Sequence, residues 1–283
     1  MISLQQVLDW PVGNAAAGVA RSFAPDIDRV DAFTVIGEAE LVFTWASLTK
    51  LCTSLAVLVA IEEGTLGFNT PAGPPGATVG HLLAHASGLG PSGTRVVANP
   101  GERRIYSNVG FEILGNVVEQ QSGINFPTYL REAVFEPIGM NGATLGRGMS
   151  AAYGVSGTLK DLLLLGAELL DPQIVSPETI LFARSVAFKG LPGILPGFGY
   201  QNPCDWGMGF EIRDSKSPHW TGRLNSPETF GHFGRDGGFL WIDPVARLAC
   251  GALSDTRFGP WAKNLWPVLS DDILIEAKGG EIQ

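Results

Sequence analysis

The chain has 283 residues, of which 45% are hydrophobic and 17% charged, a composition typical of a globular protein with one or two domains. Its formal net charge of −9 provides no basic surface for phosphates, so we expect no nucleic-acid partner and no binding to anionic membranes. No run of about 18 apolar residues occurs, so we expect no transmembrane helix.

The first part of the chain predicts two strands and a buried helix. A short amphipathic helix is predicted over residues 3–9, and strands over residues 14–20 and 32–38. The next helix spans about residues 47–63 and ends at Gly64, a residue type common just after helices. Its side chains are apolar on nearly every face, so we expect it to be buried.

The middle of the chain, residues 65–205, predicts helices separated by loops rich in Pro and Gly. The predicted helices follow Thr78 and end by Gly88, begin at Asn108, and span residues 126–135, 158–170 and 177–186. Residues 69–77 and 188–205 are expected to be loops, because Pro and Gly interrupt both helices and strands.

The last part returns to strand-forming sequence. Strands are predicted over residues 207–213, 229–233, 238–242 and 247–253, followed by a helix over about 260–277 and a loose tail over 279–283. The sequence therefore predicts an α+β fold, in which an antiparallel sheet is flanked by helices. Residues 1–64 and 206–283 would form the sheet domain, and residues 65–205 an inserted helical domain.

Ser47 and Lys50 lie one helical turn apart at the start of the predicted buried helix. Residues at i and i+3 share a helix face, so the hydroxyl and the amine can meet. An apolar environment lowers the pKa of a lysine, and a neutral amine beside a hydroxyl can act as its base. The alternative interpretation is that Ser47 only caps the helix and Lys50 is solvated.

Other polar residues lie where a cleft can form. Tyr106 and Asn108 stand at a junction between a loop and a helix, and His232 and Gly234 lie on a predicted strand. The pair His81 and His85 has the i, i+4 spacing of metal ligands, but no Glu follows the first histidine. Helix packing or a hydrogen bond to a loop is the favoured interpretation of both histidines, and we expect no metal.

The ordered set of motifs resembles the serine β-lactamase and penicillin-recognising hydrolase superfamily, most closely its class C-like branch. The matching stretches are Trp45–Lys50, His81–Leu89, Pro100–Gly101 followed by Tyr106–Asn108, and Gly231–Gly234 followed by Gly237–Gly238. That branch includes class C β-lactamases, D-alanyl-D-alanine carboxypeptidases, D-aminopeptidases and family VIII carboxylesterases. The resemblance therefore implies the β-lactamase/transpeptidase-like fold.

The resemblance also implies a role for each matching residue. Ser47 would be the acylated nucleophile, Lys50 would activate it, and Tyr106 would share the proton transfer as an accessible phenolate. The substrate-binding residues would be Asn108, His232, Gly234 and Arg235. The backbone N–H groups of Ser47 and Arg235 would form the oxyanion hole.

Two departures from the family pattern bear on the substrate. His232 stands where many β-lactamases carry a lysine, and a neutral imidazole attracts a substrate carboxylate less than an ammonium does. The helical insert is also short, which favours an open cleft. Both features favour ester substrates over β-lactams.

We therefore expect a serine hydrolase that acts through an acyl-enzyme, foremost a carboxylesterase. The alternatives are a β-lactamase, a D-alanyl-D-alanine carboxypeptidase or D-aminopeptidase, and a non-catalytic penicillin-binding or sensing module. The partner would be a small ester, amide or β-lactam, with no cofactor and no membrane, and the chain a monomer or weak homo-oligomer. Three cysteines without metal-ligand spacing and the lack of a signal-peptide pattern predict a reducing, cytoplasmic location.

Overall fold

The computed structural model describes residues 1–21 and 33–280. The strands are β1 (Ala15–Arg21), β2 (Phe33–Gly37), β3 (Phe43–Thr44), β4 (Thr144–Leu145), β5 (Val155–Gly157), β6 (Gly193–Leu195), β7 (Gly199–Gln201), β8 (Glu211–Ile212), β9 (Phe230–Phe233), β10 (Phe239–Asp243) and β11 (Leu248–Ser254). The α-helices are α1 (Thr49–Glu62), α2 (Val79–Leu83), α3 (Asn108–Ser122), α4 (Phe126–Leu130), α5 (Glu136–Ile138), α6 (Leu159–Leu170), α7 (Pro177–Ala183) and α8 (Pro260–Gly280). Short 3₁₀ segments cover Ile2–Asp9 and Ala46–Leu48, and a π-helical turn, Arg131–Phe135, joins α4 to α5.

A six-stranded antiparallel sheet forms the centre of the molecule, with strand order β2-β1-β11-β10-β9-β8. Strands from the two ends of the chain meet at the β1–β11 pair, where Gly18 lies opposite Gly251. The predicted antiparallel sheet, built from the first and last parts of the chain, is therefore confirmed.

Both faces of this sheet are covered. Along β10, Leu240 and Ile242 belong to the core beneath α1 and α6, whereas Phe239 and Trp241 belong to the core beneath α8 and the N-terminal 3₁₀ segment. This alternation is the two-residue period of a strand whose side chains point to opposite faces. The predicted arrangement of a sheet flanked by helices is confirmed.

Helix α6 comes from the predicted insert but packs directly on the sheet. A Cβ added to Gly166 would lie 3.0 Å from side-chain atoms of both Leu240 and Ala249, so a glycine at this position permits close approach. A capping box begins this helix, since Thr158 and Asp161 exchange hydrogen bonds. The division into a sheet domain and an insert over residues 65–205 stays a prediction, because one apolar core includes residues of both.

Several predicted boundaries were wrong. The strand predicted over residues 207–213 is only β8, and the loop predicted over 188–205 contains the hairpin of β6 and β7. The helix after Thr78 ends at Leu83, well before Gly88, and the last helix extends to Gly280. Residue 32 of the second predicted strand and residues 281–283 of the predicted tail lie outside the described residues.

Candidate active site

Ser47 lies in a 3₁₀ turn that leads into α1. The preceding residue, Ala46, has φ of 45°, a left-handed conformation that costs free energy for any residue with a Cβ. The 3₁₀ turn and α1 together span residues 46–62, close to the helix predicted over residues 47–63, and Lys50 lies in the first turn of α1. The chain thus presents Ser47 at a bend between β3 and a buried helix.

The Lys50 side chain is fully buried. Its Nζ lies 2.8 Å from Asn108 Oδ1, 2.9 Å from the carbonyl oxygen of Ala152 and 3.4 Å from Ser47 Oγ. Burial lowers the pKa of Lys50 well below its ordinary value, and the negative charge of Glu112 opposes that shift. A neutral amine has two N–H donors and one lone pair, which match two carbonyl acceptors and the hydroxyl of Ser47.

Tyr106 contacts the same serine from the other side. Its hydroxyl donates to Ser47 Oγ at 2.7 Å, and Lys50 Nζ lies 4.8 Å from the centre of its ring. Burial raises the pKa of Tyr106 well above its ordinary value, although the hydrogen bond to Ser47 opposes the shift. The free protein therefore favours the phenol, not the accessible phenolate that the resemblance implies, and the neutral Lys50 amine is the better base for Ser47.

The junction that carries Tyr106 and Asn108 is held by its middle residue. Ser107 caps α3, its backbone N–H donates to His85 Nδ1 at 3.1 Å, and its hydroxyl donates to the carbonyl oxygen of Gly90 at 2.7 Å. The ring of His85 packs 4.6 Å from that of Tyr106. His85 is thus a buried support for the tyrosine.

The two histidines considered as metal ligands have different partners. His81 Nδ1 lies 2.9 Å from Thr78 Oγ1, and the His81 ring stacks on Phe188. These contacts agree with the favoured interpretation, in which both histidines serve hydrogen bonding and packing. Across residues 1–21 and 33–280, no cluster of three or more His, Cys, Asp or Glu side chains could hold a metal.

Strand β9 and the residues after it form the opposite side of the site. A Cβ added to Gly234 would lie 2.5 Å from the carbonyl oxygen of Trp45, so glycine lets this strand approach the Ser47 turn. Arg235 extends into solvent, with its side chain 75% exposed and its Nε 3.8 Å from Asp236 Oδ1.

His232 is buried in β9 and neutral. Its Nδ1–H donates to the carbonyl oxygen of Phe233 at 2.6 Å, which leaves Nε2 as an acceptor. Burial lowers the pKa of His232 to about 3, and Lys50, whenever it is protonated, acts in the same direction. His232 therefore provides no positive charge for a substrate carboxylate.

A pocket of about 280 Å³ opens between the Ser47 turn and β9. It is lined by Ser47, Tyr106, Asn108, Leu195, Pro196, Gly197, Trp206, Glu211, His232, Phe233, Arg235 and Phe258. The structure thus brings the predicted site residues to one place, with Lys50 behind Ser47 and Gly234 between His232 and Arg235 on the pocket wall.

The family model described as Beta-lactamase matches residues 29–271 of this chain. The chain belongs to the β-lactamase family. This family has the fold of the serine hydrolases that the motif order indicated, so the resemblance is confirmed.

Three relatives illustrate the range of the β-lactamase family. A β-lactamase from Mycobacterium bovis is 48% identical, with a TM-score of 0.93 over 97% of this chain and 99% of the other. Penicillin-binding protein 4* of Bacillus subtilis is 29% identical over 35% of this chain and 29% of its own length. The D-alanyl-D-alanine-carboxypeptidase/endopeptidase AmpH of Escherichia coli is 28% identical over 35% of each. The chain thus spans about a third of the length of these curated relatives.

Within this β-lactamase fold, several residues of the pocket were not predicted from the sequence. Leu195–Gly197 belong to the β6–β7 hairpin, within the segment predicted to be a loop, and Trp206 lies just beyond that segment. The one available signal was that Trp206 is followed by Gly207 in a Gly-rich segment. This pattern indicates a large aromatic ring next to a position where two backbone segments come close together. Nothing local identified Glu211.

Glu211 is part of a buried polar network at the wall of the pocket. Its Oε1 accepts from Lys216 Nζ, and its Oε2 accepts from Trp220 Nε1 and from His219 Nε2, both at 2.9 Å. Burial alone would raise the pKa of Glu211, but His219 and Lys216 hold it well below its ordinary value. Lys216 Nζ also donates to the carbonyl oxygens of Asp205, at 2.6 Å, and Ile212.

Proposed function

We propose that this chain is a serine hydrolase that cleaves esters, and more slowly amides, through an acyl-enzyme at Ser47. The observation that carries the proposal is the contact of one hydroxyl with two proton carriers. Ser47 Oγ accepts from Tyr106 at 2.7 Å and lies 3.4 Å from Lys50 Nζ, whose burial favours the neutral amine. Such a group pair activates a serine without a metal or cofactor.

Acylation then follows from this geometry. Ser47 transfers its proton to the lone pair of Lys50 as Oγ attacks the carbonyl carbon of the substrate. The oxyanion forms beside the backbone N–H groups of Ser47 and Arg235, and each such donor contributes about 10²–10³-fold in rate. The phenol of Tyr106 gives its proton to the departing alkoxide or amine. The protonated Lys50 then reprotonates Tyr106 and becomes neutral again.

Deacylation reverses the proton path. Water attacks the acyl carbonyl, and its proton passes through the hydroxyl of Tyr106 to the neutral amine of Lys50. Lys50 then returns that proton to Oγ as Ser47 leaves. Water reaches the ester from the open side of the pocket, near the exposed side chain of Arg235. The products are a carboxylic acid and the released alcohol or amine.

Esters are favoured over β-lactams because the pocket offers little to a carboxylate. His232 is neutral, and Arg235 faces solvent beside Asp236. Much of the remaining lining is apolar, including Leu195, Phe233 and Phe258. A short apolar acyl group fits such a pocket without needing an ionic partner.

A β-lactamase activity is the second candidate, favoured by the 48% identity to a protein named as one. In that case penicillin would acylate Ser47 and be released rapidly. Peptidase activity on D-alanyl peptides has support from the name of a more distant relative. The cytoplasmic location and the monomeric or weakly oligomeric state stay predictions, and within the described part of the chain no helix is long and apolar enough to cross a membrane.

The test combines labelling with turnover. A fluorophosphonate probe should add one label to the protein by intact mass, and Ser47→Ala should remove it while Ser185→Ala, an exposed serine outside the pocket, should not. p-Nitrophenyl butyrate should then be hydrolysed with higher kcat/KM than nitrocefin. A higher kcat/KM for nitrocefin would make β-lactamase the better assignment. Labelling that persists in Ser47→Ala would refute the assignment of Ser47 as the nucleophile.

A further inference from the structure

Two buried polar atoms in the pocket wall have no hydrogen-bond partner among the described residues. They are Trp206 Nε1 and His232 Nε2, on side chains that are 2% and 4% exposed. The two rings lie 5.7 Å apart, nearly perpendicular, and both line the pocket. A buried polar atom without a partner is costly, so such a pair in one pocket points to a ligand that satisfies it.

The chemistry of the two atoms is opposite. An indole N–H only donates. His232 Nε2 only accepts, because the proton of this imidazole lies on Nδ1, where it is held by the carbonyl oxygen of Phe233. The wall therefore offers one donor and one acceptor to the same small space.

We propose that Trp206 and His232 form a subsite for an uncharged group that both accepts and donates, namely a hydroxyl or a carboxamide next to the scissile ester. This inference rests on the proposed function and narrows its substrate class. The substrate is then a short, largely apolar ester that carries one neutral polar group. Its remaining surface contacts apolar residues such as Leu195 and Phe258.

The same wall disfavours an anion. A carboxylate would face the lone pair of His232, and no buried cation in the described part of the chain is free to compensate its charge. The amine of Lys50 is occupied by Asn108 and Ala152, and Lys216 is bound to Glu211. Unlike a hydroxyl, a carboxylate at this wall could use only the donor of Trp206.

The wall is also fixed before a ligand arrives. Lys216 Nζ donates to the carbonyl oxygen of Asp205, next to Trp206, and a backbone bridge pairs Trp206 with Glu211. The ring of Trp206 meets that of His85 edge-on at 4.8 Å. A preorganised donor and acceptor lose little free energy to ordering on binding, so they discriminate well between ligands.

The test compares esters that differ in one group. On the alcohol side these are 2-hydroxyethyl butyrate, propyl butyrate and butyryloxyacetate, and on the acyl side p-nitrophenyl 3-hydroxybutyrate and p-nitrophenyl 3-methylbutyrate. In one of the two series, kcat/KM should favour the hydroxyl ester over its methyl counterpart by about tenfold or more. Butyryloxyacetate should be the poorest substrate of its series.

Paired variants show whether the wall causes the preference. Trp206→Phe removes the unpartnered N–H, and the preference for the hydroxyl ester should fall several-fold. Trp10→Phe makes the same change at another buried indole without a partner, outside the pocket, and should leave the preference unchanged. Equal loss in both variants would overturn the subsite.

Binding without turnover separates this inference from the proposed function. In ligand-observed NMR, pentanamide should bind and pentanoate should not, and Trp206→Phe should weaken the amide. If p-nitrophenyl butyrate is hydrolysed through Ser47 but neither the esters nor these ligands are discriminated, the subsite is wrong and the hydrolase stands. If no ester is hydrolysed but pentanamide binds in this way, the proposed function fails and the subsite stands.

Discussion

Lys50 Nζ lies 2.8 Å from Asn108 Oδ1, so the asparagine holds the amine that activates the serine. The resemblance implied that Asn108 binds the substrate, and its Nδ2 donor is the group left for that purpose. Since Asn108 is the first residue of α3 and Lys50 lies in the first turn of α1, this hydrogen bond joins the two helices at the site.

We expect Lys50 and Tyr106 to act as one proton-transfer unit, because both contact Oγ of Ser47. Lys50→Ala and Tyr106→Phe should each lower kcat by about 10²–10⁴-fold, and the double variant should lose little more. Steady-state rates on p-nitrophenyl butyrate measure this. Tyr129→Phe, a tyrosine that bonds to Glu63 outside the pocket, is the control. Multiplicative losses in the double variant would mean that the two residues act separately.

The acid limb of the pH profile should follow Lys50. The amine must be neutral to take the proton of Ser47, so kcat/KM should rise with pH through the pKa of Lys50. The negative charge of Glu112 raises that pKa, so Glu112→Gln should lower it and shift the limb to lower pH. Glu119→Gln, the same change farther along α3, should leave the limb in place. A shift to higher pH in Glu112→Gln would contradict this account.

His232 should not contribute to the profile at neutral pH. Burial lowers the pKa of His232 to about 3, so the imidazole stays neutral throughout the neutral pH range. His232→Gln should therefore reduce kcat/KM without moving the acid limb. If the acid limb of the pH profile disappeared in His232→Gln, the titrating group would be the histidine and not Lys50.

Asp205 should destabilise the fold as the pH rises. Burial and the neighbouring carboxyl of Asp214 raise the pKa of Asp205 to about 6. A carboxyl with a raised pKa in the folded state contributes most stability below its unfolded pKa of about 3.9, and loses it as the pH rises to about 6. Asp205→Asn should therefore be more stable than the parent at pH 7.5, by about 2 kcal/mol, and closer to it at pH 4.5.

Urea unfolding at the two pH values measures this difference. Asp9→Asn, an exposed carboxyl at the N-terminus, should show no such trend. A larger gain for Asp205→Asn at pH 4.5 than at pH 7.5 would reverse the sign and refute the assignment.

Gly234 should tolerate no side chain. The methyl group of Gly234→Ala would lie 2.5 Å from the carbonyl oxygen of Trp45, which forces β9 away from the Ser47 turn. We expect a loss of about 1–3 kcal/mol in unfolding free energy and a drop in kcat. Gly67→Ala, where the nearest atom is 3.9 Å away, is the matched control. Full activity in Gly234→Ala would show that the close contact between Gly234 and Trp45 does not position the oxyanion hole.

Local sequence was sufficient for much of the fold and for the residues around Ser47. The hydrophobic pattern of residues 247–253 predicted a strand, which lies inside the sheet as β11. The motif order identified residues that are far apart in the chain but share a pocket. The predicted strand over 207–213 failed because Gly209, with φ of 99°, turns the chain against Ser54 on α1. That turn depends on a contact between segments 155 residues apart, which no local pattern contains.

The pocket wall at Trp206 was missed for the same reason. Its position depends on Lys216, which closes the segment onto β8, and on His85, which is more than a hundred residues away in sequence. The role of Tyr106 was only partly predicted, since the burial that favours its phenol form arises from packing around the ring. Sequence motifs identify the reacting groups, whereas their protonation states depend on the complete fold.

The two sides of the pocket differ in how easily they can be remodelled. The Trp206 side is fixed by Lys216, whose Nζ donates to Glu211 and to the carbonyl oxygens of Asp205 and Ile212. Moving this side would therefore expose a buried ion pair. The other side is the tip of the β6–β7 hairpin, with three-residue strands that carry the exposed side chains of Ile194 and Tyr200. A lineage, or a laboratory selection, that needs to admit bulkier acyl groups has its least costly route through substitutions at Pro196, since the neighbouring Leu195 is part of the core.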